Sequence, residues 1–240
     1  MDHHHLLDIL EHGELTIQGQ FLQGSNYTFL GKCTLGDESI DIVYKPTKGE
    51  RPLWDFPQRT LAKREVAAYL LSQELDWELV PPTVYRRRKM PIGSGSVQVY
   101  IEHNPQYHYF NLEQDDRARL QPAALFDLLA NNADRKGSHI LVDDTGHIWL
   151  IDHGLCFNRE NKLRTVIWDF VGQPIPDDLK RDLIRLLPEL ARESEFTIRL
   201  HSYLSWSEIN ALNNRCAVLL STGVFPAADS NRRAYPYPPL

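Results

Sequence analysis

Cysteine is scarce in this 240-residue chain. Cys33, Cys156 and Cys216 are odd in number and widely spaced, and no CxxC pair occurs. That spacing argues against a disulfide framework and against a zinc ribbon, and it suits a reducing, cytoplasmic setting. No apolar run is long enough to span a bilayer. The start, Met1-Asp2-His3-His4-His5, has neither a basic n-region nor an apolar h-region, so it reads as a solvated terminus rather than a secretory signal. Positive charge is in deficit. The net charge is -6 and the pI about 5.9, which excludes a general nucleic-acid binder. There is no internal repeat, and no Gly-x-Gly-x-x-Gly run of the kind that cradles phosphates.

What is present divides the chain in two. Glu14 to Leu22, Tyr27 to Cys33 and Ile40 to Lys45 read as strands separated by the turns Gln23-Gly24-Ser25-Asn26 and Gly36-Asp37. Thr60 to Leu75 reads as a helix with Leu61, Val66, Ala67, Leu70 and Leu71 on one face. Val84-Tyr85 and Val97 to Ile101 form a hairpin around Gly93 to Ser96, and Arg86-Arg87-Arg88-Lys89 is a basic run at its tip, most simply a solvated one. After Glu102-His103-Asn104-Pro105 the pattern turns helical. Asp115 to Ala130, Pro176 to Arg192 and a segment opened by the capping box Ser205-Trp206-Ser207-Glu208 read as helices. Two short strands, Ile140 to Val142 and Ile148 to Ile151, interrupt them. The expected class is α+β. A β-rich lobe spans residues 1–102, a mostly helical lobe spans 103–240, and a cleft lies between them.

Two aspartates carry the strongest chemical signal. Asp134 lies in the loop Asn131-Asn132-Ala133-Asp134-Arg135, where its carboxylate can orient an attacking hydroxyl. Asp152 ends an apolar strand and precedes His153-Gly154, where a carboxylate can hold Mg²⁺ against nucleotide phosphates. A turn pair such as Asp143-Asp144 has no such context. Upstream, Lys45 closes a strand and Glu65 follows on the next helix. Protein kinases use that order to hold the phosphates with an ammonium and to fix the ammonium with a carboxylate. Gly24-Ser25-Asn26-Tyr27 lies where a phosphate-covering loop belongs. It has one glycine and fits a plain hairpin turn equally well. Asp127 lies on the helix before the loop, placed either to brace it through backbone N–H bonds or simply on the surface.

Together these segments resemble the phosphatidylinositol 3-/4-kinase-like branch of the protein-kinase fold, and within it a small bacterial group related to phosphatidylinositol kinases. The matching pieces are Ser25-Asn26-Tyr27, Tyr44-Lys45-Pro46, Arg64-Glu65-Val66-Ala67, Asn132-Ala133-Asp134-Arg135 and Ile151-Asp152-His153-Gly154. The resemblance implies an ATP-dependent phosphotransferase using Mg²⁺ or Mn²⁺ and acting on a hydroxyl acceptor that the sequence does not identify. It implies Asp134 and Arg135 in the catalytic loop. Ser25, Asn26, Lys45 and Glu65 would serve the ATP phosphates, and the hinge residues Tyr100, Ile101 and Glu102 the adenine. Asp152 would bind metal. The family's second metal ligand is usually an Asn five positions after the catalytic Asp; here that position is His139. Imidazole is a poorer Mg²⁺ ligand than an amide oxygen and suits Mn²⁺ better. The substitution, with the short segment Leu155 to Asp169, keeps two other readings open: an inactive nucleotide-binding interaction module, or an AMP transferase. Within that segment, Lys162-Leu163-Arg164-Thr165 is either a contact for an anionic substrate or a solvated loop.

Overall fold

The computed structural model describes residues 2–22 and 26–240. Its first half is a five-stranded antiparallel sheet made of β1 (Glu14–Gln20), β2 (Phe29–Leu35), β3 (Glu38–Pro46), β4 (Thr83–Arg86) and β5 (Gly95–Val99), in the order β1-β2-β3-β5-β4. Alternation along β2 and β3 turns Phe29, Cys33, Ile42 and Tyr44 inward. The register pairs Lys45 with Ser96 and Pro46 with Gly95. A Cβ on Gly95 would lie 2.3 Å from the Lys45 carbonyl oxygen, so glycine is what lets the hairpin strand close on the lysine.

One element at the N-terminus was not expected. Asp2 to His5 are exposed, as expected, but they lead into α1 (His3–His12), which packs Ile9 and Leu10, both fully buried, onto the sheet. The polar histidines obscured an apolar face made by Leu6, Leu7, Ile9 and Leu10.

Helix α2 (Leu61–Glu74) joins the two halves. It was expected to be buried on one face, yet eleven of its fourteen residues are buried, including Arg64 and Glu65. Val66, Leu70, Leu71 and the following Leu75 belong to the larger hydrophobic core with the C-terminal helices, while Ile42, Tyr44, Val84 and Val97 form a separate core under the sheet. Each fully buried leucine of this kind is worth about 2 kcal/mol of transfer free energy.

The helix expected over Asp115 to Ala130 is broken into α3 (Gln114–Ala118) and α4 (Gln121–Ala130). Pro122 explains the break: it has no N–H to donate and suits the first turn of a new helix. Helix α4 ends at Asn131 in the left-handed conformation (φ 52°), which turns the chain into the loop that carries Asp134. β6 (Ile140–Val142) and β7 (Ile148–Leu150) form a two-stranded sheet. α5 (Asp177–Glu189), α6 (Glu195–His201) and α7 (Trp206–Thr222) complete the helical half. α6 was not expected. The Ser205–Glu208 capping box forms as expected at the start of α7.

Candidate active site

Four segments distant in sequence bring their functional side chains together between the halves. Lys45 Nζ, at the end of β3, lies 2.5 Å from Glu65 Oε1 on α2 and 3.1 Å from Asp152 Oδ1 after β7. The second oxygen of Glu65 accepts the His153 backbone N–H at 2.9 Å, so one carboxylate ties α2 to the lysine and to the Asp152 loop. Burial would lower the Lys45 pKa, but the charges of Asp152 and Glu65 outweigh it and hold the ammonium above the ordinary lysine range. Burial pushes Glu65 up against the pull of Lys45. For Asp152, burial would raise the carboxyl, yet Lys45 and His139 hold it below the usual carboxylate range. Its side chain is half exposed at the cleft, where solvent weakens these fields.

Asp152 has φ 61°, a left-handed backbone that an aspartate tolerates better than a branched residue does. His139 Nε2 is 3.5 Å from Asp152 Oδ2. The Lys136 N–H points at His139 Nδ1 at 3.5 Å, which leaves the Nε2 proton toward Asp152. Burial lowers the His139 pKa to about 4, so the imidazole is neutral near pH 7.

Asp134 is partly buried. Its N–H donates to Asn132 Oδ1 at 2.9 Å, and Lys136 Nζ lies 3.7 Å from its carboxylate. Burial pushes its pKa up to about 6 despite Lys136, with the negative charge of Asp152 adding to the rise.

Arg135 points away from the cleft and is fully buried. Its guanidinium meets both oxygens of Asp127 at 3.1 Å, the carbonyls of His139 (3.2 Å) and Ile151 (2.8 Å), and His153 Nε2 (2.8 Å). A guanidinium only donates, so His153 Nε2 is the acceptor and the ring is neutral. Burial, with the charge of Arg135, lowers the His153 pKa well below its ordinary value. Arg135 is therefore a positioning residue that locks the Asp134 loop to the Asp152 loop. Asp127 completes the lock. It takes bonds from Asn132 Nδ2 (3.0 Å) and Thr165 Oγ1 (3.0 Å), so its bracing runs through side chains rather than the backbone N–H groups expected.

Of the other expected residues, Asn26 is at this site and several are not. Asn26 lines a small cavity of about 90 Å³ with Lys45, Glu65 and Asp152, and its side chain accepts the Arg51 N–H at 2.8 Å. Ser25 and Gly24 fall outside the described residues. Tyr100, Ile101 and Glu102 follow β5 and do not line that cavity. The Tyr100 N–H is taken by the Asp41 carbonyl at 2.9 Å, and the Ile101 carbonyl meets His103 Nδ1 at 2.8 Å. Lys162 is not free for a substrate: it lies 3.5 Å from Asp55 Oδ2 and over the Trp54 ring. Arg164 is tied to the loop through the Ala133 carbonyl at 2.6 Å. Burial pushes Cys156 well above the ordinary thiol range, which suits an inert core residue.

Two features escaped the sequence reading. Glu50 lines the same cavity and accepts the Ala62 N–H at 2.9 Å, capping α2 from a loop eleven residues upstream of Leu61. Arg64, beside Glu65, is buried against Glu208 of α7 and donates to the Cys156 carbonyl at 2.6 Å. The capping box marked Glu208, whose other oxygen meets Arg64, but nothing local marked Arg64 as its partner.

The sequence profile of phosphatidylinositol 3- and 4-kinases matches residues 55–216, more than half of the chain. The chain belongs to that family. It is 39% identical over 259 aligned positions to Protein Rv2133c of Mycobacterium tuberculosis, covering 93% of this chain and 92% of that one. Among solved structures, hydra Fam20 with sugar superposes with a TM-score of 0.55 at 15% identity, covering 90% of this chain and 86% of that one. The Helicobacter pylori proinflammatory kinase CtkA gives a TM-score of 0.55 at 11% identity, covering 90% and 94%. At such identities these two establish the fold alone, which is kinase-like. No helix among the described residues is long and apolar enough to cross a membrane.

Proposed function

We propose that the protein transfers the γ-phosphoryl group of ATP to a hydroxyl acceptor. One observation carries the reading: a single ammonium, Lys45, sits between a helix carboxylate (Glu65) and a loop carboxylate (Asp152) drawn from the two halves of the fold. An ammonium fixed in this way is suited to nucleotide phosphates, and Glu65 keeps it from following the ligand. In this reading the lobes are residues 1–102 and 103–240, and Tyr100 to Glu102 form the hinge beside the adenine.

Asp134 accepts the acceptor's hydroxyl proton as the oxygen attacks phosphorus, and ADP departs. Its raised pKa suits a group that must take up a proton near neutral pH. Arg135 holds the loop without touching the reactants.

The donor set fits a divalent ion. Mg²⁺ commonly takes only one or two protein carboxylates and fills its shell with phosphate oxygens and water, and Asp152 supplies a half-exposed carboxylate. His139 would offer Nε2 as a second donor if the ring proton moved to Nδ1 and the weak 3.5 Å contact from the Lys136 N–H were given up, and an imidazole donor suits Mn²⁺ better than Mg²⁺. A bound ion would neutralise phosphate charge.

The test is incubation with ATP and Mg²⁺ or Mn²⁺ while following ADP, AMP and pyrophosphate, with the protein and candidate hydroxyl compounds then weighed by mass spectrometry. ADP formation that is lost in Asp134→Asn, with ATP binding retained, is the expected result. AMP attached to an acceptor would replace this reading with nucleotidyl transfer, and binding without turnover would replace it with an interaction module.

A further inference from the structure

A second cavity, of about 690 Å³, lies farther along α2 and shares no lining residue with the cavity at Lys45. Its floor is Val66, Tyr69 and Leu70 of α2, and its walls come from α1, from the β4–β5 hairpin and from α6. This volume is within the range of small-molecule sites. Its chemistry is unusual for an acidic chain. Arg87, Arg88 and Lys89 enter from the hairpin, and Arg199 enters from α6, 110 residues later. Among the described residues none of the four has a carboxylate within 4.0 Å. Glu11 is the one acid in the lining, and it is 3.8 Å from His12.

Arg87 and Arg199 come from different walls of one groove that Tyr203 also lines, and both side chains are exposed to it. Burial and Glu11 push the Tyr203 phenol up, and Arg199 and Arg87 offset part of that rise. The hairpin tip is anchored. Arg86 is buried, donating to the Gly13 carbonyl at 2.8 Å and reaching the Lys89 carbonyl at 3.5 Å, and Lys89 is held at φ 53°. A tip that was merely solvated would need neither the anchor nor a wall facing it. Like charges gathered around one concavity repel one another, and a multivalent anion relieves that repulsion. Arginine forks and phenol hydroxyls are the usual partners of phosphate oxygens.

We infer that this groove is a binding site for a ligand carrying two or more phosphate groups, separate from the Lys45 site. The full-length protein is titrated by calorimetry with inorganic tripolyphosphate, without divalent metal, at low and physiological salt. Lys45→Met, which removes the ammonium of the nucleotide site, is expected to keep this binding. Arg199→Ala is expected to weaken it about tenfold, and Arg87→Ala combined with Arg88→Ala by more, as charge-assisted hydrogen bonds are lost. Arg86 is left intact because it supports the fold. Affinity falls as salt rises. Absence of binding to the wild type overturns the inference. So does binding that disappears in Lys45→Met and survives in the arginine variants. Phosphatidylcholine vesicles with and without phosphatidic acid form the second arm. Capture by the acidic vesicles alongside tripolyphosphate binding supports a lipid headgroup as the source, and tripolyphosphate binding alone supports a free phosphate compound.

Discussion

Lys45 Nζ and Asp152 Oδ1 stand 3.1 Å apart across 107 residues of sequence, with Glu65 on the other side of the same ammonium. The two carboxylates differ in setting. Glu65 is buried and fixed, while Asp152 is half exposed and faces the cleft. A ligand that displaces Asp152 from Lys45 would leave the Lys45–Glu65 pair standing.

That pair yields the first prediction. Glu65→Gln keeps an oxygen for the His153 N–H but leaves the ammonium without its buried partner. The KM for ATP is expected to rise about tenfold, equivalent to about 1.4 kcal/mol. Because a partly buried charge loses its partner, the unfolding free energy from urea titration is expected to fall as well, by about 3 kcal/mol. Steady-state kinetics and urea unfolding check the two effects separately.

Asp134 is expected to make activity and stability diverge. Its folded-state pKa of about 6 lies above the unfolded carboxylate value. As a base it works ionised, so kcat/KM should rise with pH to a plateau through an apparent pKa near 6 and be lost below it. For stability the sign is opposite. A raised pKa means that folding favours the protonated form, so this contribution is complete below the unfolded pKa and is lost as pH rises through 6. Asp134→Asn removes the buried charge, and is expected to cut turnover by about 10² to 10⁴ while stabilising the protein by about 2 kcal/mol at pH 7.5. Calorimetric melting at pH 4 and pH 7.5 should show the stabilisation only at the higher pH.

Arg135 and Asp127 are expected to behave as one unit. Arg135→Lys keeps the charge but cannot reach Asp127, two carbonyls and His153 together, and should cost about 3 kcal/mol. Asp127→Asn should cost a similar amount. The double variant should lose less than the sum, and denaturant unfolding of all four proteins gives the coupling. Fully additive losses would contradict the lock.

His139 sets the expected metal preference. Turnover with Mn²⁺ should exceed that with Mg²⁺. His139→Asn should reverse the order by supplying the amide oxygen that Mg²⁺ prefers. Rates in matched concentrations of the two ions decide it, and an unchanged ratio would place His139 outside the metal's reach.

Much of the architecture was legible from patterning. The alternation in β2 and β3, the order of Lys45 and Glu65, the Asp134 and Asp152 loops and the Ser205–Glu208 cap are all local features, each readable within a few residues. Helix α1 was not legible, because His3 to His5 mask the apolar spacing behind them. Nor was the break before Pro122 read, although proline in the first turn is a local signal. Glu50 and Arg64 could not be recognised at all, since their partners, the α2 N-terminus and Glu208, are set by how the chain returns on itself.

By itself, then, the sequence determined which residue types were available for phosphoryl chemistry and on which kind of element each would lie. Periodicity and turn chemistry act over short range, and they suffice for that. Only the tertiary structure decided which way the charges face. It turned Arg135 inward to brace two loops and engaged Lys162 with Asp55 and Trp54. It also brought Arg199 opposite Arg87 and Arg88 around a groove that no spacing announces. Electrostatic partners are chosen by distance in space, and distance in space is fixed only when the helices pack.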